Sequence, residues 1–207
     1  RSEALLGLEP PTASKPAGDI TGQAIVEIRP NVRERTRLLA DRTHKPYQVA
    51  DLDDSEAALF VRDWEDGPDN IVSRSNWCFA SESDNGVSPS SEHIYLDTGF
   101  EPGKIYHVVY TTNTVPVVGA GLLAVRDVAT WLRTPSILNP VVKGFEKVYG
   151  FGVSQTGRLL RQFIYLGLNQ DENGEQVYDG LIPHVAGGRV GQFNHRFAQP
   201  SNQSMAG

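Results

Sequence analysis

The sequence predicts an α/β protein in two parts, a β-rich N-terminal portion over residues 1–100 and a partial parallel sheet with crossover helices over residues 101–207. Three features predict it. Up to about residue 100 the apolar runs are short and bounded by turn-forming residues. Beyond that point two longer stretches carry apolar residues at helical spacing. These stretches alternate with β-branched and aromatic runs, and strand, helix, strand, helix, strand is the order that builds parallel sheets.

Taken in order, "GQAIVEI" (residues 22–28), "AALFV" (57–61), "NWCFA" (76–80) and "HIYL" (93–96) read as strands, largely antiparallel. "EDGPDN" and "ESDNGVSPSSE" separate them with Gly, Pro, Asn and Asp, each favouring turns for its own reason. "KIYHVVY" (104–110) is expected as a buried strand that opens the parallel sheet. In "VVGAGLLAVRDVATWLR", Leu122, Val125, Ala129 and Leu132 form a core-facing stripe, and Pro135 ends the helix. "KVYGFGV" is the next strand; "GRLLRQFIYLGL" is a helix with Leu159, Leu160, Phe163 and Ile164 on one side, ended by Gly167. "VYDGLIPHVAG" is the last strand.

Composition narrows the function. With 39% apolar and 21% charged residues in 207, the chain reads as an ordinary globular protein able to bury a core. A net charge of −6 argues against a nucleic-acid partner. Arg33, Arg35 and Arg37 alternate with Glu34 and read as a solvated loop or short helix rather than a basic patch. Cys78 is the only cysteine, which excludes an intrachain disulfide and a zinc–thiolate cluster. No run reaches the roughly 20 apolar residues of a membrane span, no His/Asp/Glu set has metal-ligand spacing, and no cofactor is expected. The chain opens without methionine, and its compartment, cytoplasmic or exported, stays open.

The chemistry centres on "YGFGVSQTGRLL". As a dinucleotide fingerprint it fails, because Gln155 stands where the third glycine packs helix on strand. As a phosphate loop it has Gly152 and Gly157 at the right spacing, but Arg158-Leu159 follows where Lys and a hydroxyl residue belong. As a nucleophile elbow, G-x-S-x-G, it has Gly152 and Ser154 in place, Thr156 in the last position and Gly157 one step later. The strand before and the amphipathic helix after suit an elbow. The alternative is a serine that caps the helix.

The run "YGFGVSQTGRLLRQFIYLGLNQDENGEQVYDGLIPHVAGGRVGQFNHRFAQPS", with the earlier "PVVGAGLLAVRDVATWLR" and "VRDWEDGP", resembles a family of large bacterial α/β-hydrolase-domain proteins. Their elbow reads G-x-S-Q-S/T-G-R, followed by an aromatic-rich helix. The resemblance covers residues from about 57 to 201 and implies an α/β-hydrolase fold with Ser154 as nucleophile. On that reading the chain is a serine hydrolase of the esterase type, acting on a small ester through an acyl-enzyme.

Such a site needs oxyanion donors: the N–H of Gln155, and one from "TTNTVP", with Thr114 as the candidate beside Asn113 and Val115. It also needs a base and an orienting acid. Among the later histidines, His195 lies on a loop and ranks first as base, while His184 reads as a packed histidine inside a strand. Asp171, Glu172 and Asp179 read as turn and solvation residues, and Arg158 and Arg161 as partners of nearby carboxylates or of an acidic substrate. Only about 50 residues follow Ser154, so the chain reads as a truncated piece whose acid and base are expected beyond residue 207. The competing expectations are a non-catalytic binding protein on the hydrolase fold and self-association through an unfinished sheet edge. Trp64 and Trp77 are expected in the core.

Overall fold

Alternation of apolar and polar residues gives a strand a buried and an exposed side, and the first part of the chain folds from nine described strands, of which Gly22–Ile28 and Ile105–Thr112 alternate in this way. The protein is described by a computed structural model over residues 11–16, 18–40, 44–117, 120–188, 191, 193, 196 and 197. It divides into two compact units, Arg1–Pro116 with Arg196–Gly207, and Val117–His195.

The first unit holds β1 (Gly22–Ile28), β2 (Glu34–Leu38), β3 (Ala58–Arg62), β4 (Asn70–Val72), β5 (Trp77–Cys78), β6 (Ala80–Ser83), β7 (Gly86–Pro89), β8 (His93–Phe100) and β9 (Ile105–Thr112). One sheet runs β1-β9-β3-β4, a second β2-β8-β5, and β6-β7 is a separate hairpin. Ala24, Val26 and Ile28 of β1, Leu59 of β3 and Tyr106, Val108 and Tyr110 of β9 share one core with Ile94, Leu96 and Phe100 of β8 and with Trp77. The two larger sheets therefore pack around a common apolar layer, as sandwiched sheets do. Edge-to-face ring contacts order it: Trp77 on Phe79 at 5.4 Å and Phe100 on Tyr106 at 5.0 Å between centroids. The buried Tyr110 hydroxyl donates to the Tyr47 carbonyl at 2.7 Å, and burial pushes its phenol well above the usual range.

The second unit holds α1 (Ala120–Arg133), β10 (Tyr149–Val153), α2 (Gln155–Tyr165) and β11 (Gly180–His184). β10 and β11 pair in parallel, Tyr149 opposite Gly180 through Val153 opposite His184. α2 buries Gly157, Leu160 and Phe163, and the Phe163 ring meets Tyr178 edge-on at 5.7 Å. In α1 the expected stripe is the one turned inward, with Leu122 and Ala129 buried and Val125 and Leu132 half-buried. Asn139 closes the end of that helix, its amide donating to the carbonyls of Trp131, Leu132 and Thr134, which satisfies acceptors that every helix end leaves open.

Several expectations need correction. Residues 104–110 do not open a parallel sheet: β9 is the central strand of an antiparallel one, paired with β1 along its length and with β3 on its other side. A run rich in β-branched and aromatic residues fixes a strand but not the direction of its neighbours, which long-range register decides. The chain passes from the first compact unit to the second between Pro116 and Val117. Among the described residues the parallel sheet consists of β10 and β11 alone. Trp64 is 60% exposed where a core position was expected, whereas Trp77 is buried.

Candidate active site

The site grows from the glycines of β10. Along Tyr149–Val153 the odd positions Tyr149, Phe151 and Val153 are exposed, while Gly152 is buried. A Cβ on Gly152 would lie 2.6 Å from the Thr156 carbonyl oxygen, and one on Gly157 would lie 2.8 Å from the carbonyl oxygen of His184. Both contacts are with backbone, so neither position admits a side chain without displacing the strand–helix junction. The sequence alone showed Gly157 one place late for the motif; the structure shows that it is the glycine across which α2 approaches β11.

Between these glycines, Ser154 has φ 53° and ψ −115°. A non-glycine residue in that conformation stores strain of about 1–3 kcal/mol. Its side chain makes no capping hydrogen bond, so the helix-cap alternative is not what the structure contains. The Ser154 N–H donates to the His184 carbonyl at 3.0 Å, and its carbonyl accepts from the Arg158 N–H at 2.9 Å, opening α2. Thr156, the residue that departs from the motif, closes the turn: its hydroxyl donates to the Val153 carbonyl and accepts from the Val153 N–H, each at 2.8 Å. Ser154 itself is exposed, and its hydroxyl bonds to no described residue. Gln155 is the first residue of α2, so its N–H is among the donors that a helix leaves without an internal acceptor.

The strand beside it ends in the same manner. Val185, directly after β11, has φ 42°, a conformation that a β-branched residue almost never adopts. Two strained residues thus stand at the carboxyl ends of the two parallel strands, the edge at which open α/β sheets place their ligands.

The other expected site residues fall as follows. His195 lies outside the described residues. His184 is exposed rather than packed, its ring stacked at 6.3 Å on Phe151 and so on the sheet side that carries Tyr149 and Val153. Thr114 belongs to the first unit; its N–H donates to the Thr112 hydroxyl and its own hydroxyl accepts from the Gln48 N–H. His107 pairs with Glu27 across β9 and β1 at 3.1 Å, and His93 bonds Ser90. Asp171 does the turn chemistry expected of it, accepting from the N–H groups of Asn173 and Glu175.

Asp179 does more than sequence reasoning assigned. It accepts from the Val148 N–H at 2.9 Å, from Arg133 at 2.6 Å and from Lys147 at 3.0 Å, clamping the start of β11 to the start of β10. The backbone N–H of Val148, then Lys147 and Arg133, hold its carboxyl well below the usual carboxylate range. No local pattern announces such a residue, because its three partners are 31 to 46 positions away. The first unit has its own open concavity of about 740 Å³, lined in part by Leu52, Arg74, Cys78 and Phe79. Its arginine is occupied by the carbonyls of Trp77 and Leu52.

The model of the alpha/beta hydrolase domain family matches residues 19–206. The chain belongs to that family. No curated protein and no solved structure matches it. The matched residues run through both units.

Proposed function

We propose that this alpha/beta hydrolase domain works as a serine esterase, with Ser154 as the nucleophile of a nucleophile elbow. One observation carries the reading: Ser154 is the strained, exposed residue at the apex of a parallel strand–helix turn whose flanking glycines have no room for a side chain. In such an elbow the strain holds the hydroxyl above the sheet edge instead of letting it fold back on the helix end.

The Ser154 Oγ attacks the ester carbonyl, its proton passing to a base, and the carbonyl oxygen becomes an oxyanion. The Gln155 N–H donates to that oxyanion, reinforced by the positive end of α2. Collapse expels the alcohol, which leaves with the proton, and water then hydrolyses the acyl-serine by the reverse proton path. Within the chain His195 is the candidate base, since the His184 ring is stacked on Phe151.

Labelling with a fluorophosphonate, read by intact mass, tests the proposal. A single adduct that maps to Ser154 and disappears in Ser154→Ala, together with loss of ester cleavage, is the expected result. No adduct on the wild-type chain, or cleavage that persists in Ser154→Ala, would overturn it and leave a binding protein on a hydrolase fold.

A further inference from the structure

Four described arginines lie in the second unit, and three have partners. Arg126 pairs with Asp127 and Glu172, Arg133 pairs with Asp179 and donates to the Val177 carbonyl, and Arg161 donates to the Gly187 carbonyl. Arg158 is different. Its guanidinium bonds to no described residue, it is half-buried, and its Nε is closed off from solvent with no hydrogen-bond partner among the described residues. A guanidinium keeps its charge at any working pH, so the fold holds a partly dehydrated cation with no counter-charge among the described residues. Groups of that kind are rare in native structures and call for a partner.

The position of Arg158 indicates where the partner sits. Its N–H donates to the Ser154 carbonyl, placing it one helical turn beyond Ser154. Helical side chains lean toward the N-terminal end of their helix, which carries this one back toward Ser154. α2, "QTGRLLRQFIY", contains no acidic residue to pair with it from within the helix. With Nε enclosed, the approach left to a ligand is end-on, at the two terminal nitrogens.

We propose that Arg158 is the anion-recognising residue of the Ser154 site and that the preferred substrates are esters bearing a carboxylate on the acyl side. This rests on Ser154 being the nucleophile. A planar carboxylate accepts two parallel hydrogen bonds from a guanidinium. It also matches the single available charge, whereas a phosphate monoester carries about −1.5 to −2, and Arg161 is already engaged.

The test compares mono(4-nitrophenyl) glutarate with 4-nitrophenyl pentanoate, acyl chains of similar length with and without a terminal carboxylate. Wild type is expected to favour the glutarate ester in kcat/KM by about tenfold or more, the scale of a hydrogen-bonded charge contact. Arg158→Gln brings the ratio close to one, through KM rather than kcat, and Arg158→Lys restores part of it. Equal rates on both esters in wild type, or a parallel fall on both in Arg158→Gln with a lowered Tm, would show a structural arginine and overturn the proposal. A second arm does not depend on turnover: glutarate is titrated by NMR into Ser154→Ala and Ser154→Ala/Arg158→Gln. Binding to the first and not the second supports the carboxylate site even if the nucleophile assignment fails. Absence of binding to the first, or equal binding to both, overturns it.

Discussion

The segment up to Pro116 and the segment from Val117 to His195 treat local conflict differently, while Phe197, outside both, also carries a positive φ. In the segment up to Pro116 every described positive φ is at a glycine, most buried strand residues join one core, and the described arginines of the strands and turns have partners. In the second unit Ser154 and Val185 carry positive φ without being glycine. There the Arg158 guanidinium lacks a partner among the described residues, whereas exposed apolar side chains do not separate the segments, Ile71 being 73% exposed in the first and Phe151 67% in the second. Natural sequences agree with their folds at nearly every level and depart from that agreement at functional sites. The contrast supports, without reference to any motif, the proposal that the chemistry lies at Ser154.

Substitutions sharpen that contrast. The largest effect is expected in the consistent unit: Phe100→Ala empties a fully buried ring site against Tyr106 and should cost about 3–5 kcal/mol, read as a fall in the denaturation midpoint at unchanged m-value. A small loss would mean that the sandwich core is looser than its burial indicates. A gain is expected in the strained unit. Ser154→Gly relieves a conformation that glycine adopts freely, so stability should rise by about 1 kcal/mol while labelling by fluorophosphonate disappears. A variant that loses stability would show that Ser154 is not strained, and the contrast would break.

The smallest effect is a change in the pH dependence of stability. Asp179 has its carboxyl held below the usual value by the Val148 N–H, Lys147 and Arg133. A group with a depressed folded pKa binds its proton more readily in the unfolded state. Its contribution is therefore complete above the ordinary carboxylate pKa of about 4 and is lost as pH falls below it. Asp179→Asn should accordingly flatten the acid limb of the stability curve, and lower stability at neutral pH. An acid limb equally steep in the variant would place the acid sensitivity in another carboxylate.

Much of this was legible from residues, and the pattern of what was not has a physical origin. The strand positions in the first hundred residues, the inward stripe of α1 and the strand–turn–helix around Ser154 are periodicity and turn chemistry, written locally. Thr156 looked like a defect in the elbow because the motif records size, whereas the turn uses the hydroxyl to tie both polar groups of Val153. His184 looked packed because an apolar flank suggests burial, yet α2 covers only one side of the β10–β11 pair, and the ring lies on the other. Arg158 was expected to find a carboxylate; among the described residues it finds none.

By itself the sequence determined most of the elements, though not the strands Glu34–Leu38, Asn70–Val72 and Gly86–Pro89, and it determined the placement of glycines at Gly152 and Gly157 and the serine between them, since these depend on neighbours within a few residues. Tertiary structure alone decided that residues 105–112 run antiparallel between β1 and β3, that Asp179 joins Val148, Lys147 and Arg133, and that Ser154 is strained with its N–H on His184. Each of these joins residues about 30 or more positions apart, where pairing is chosen by the packing of whole faces and leaves no local mark in the chain.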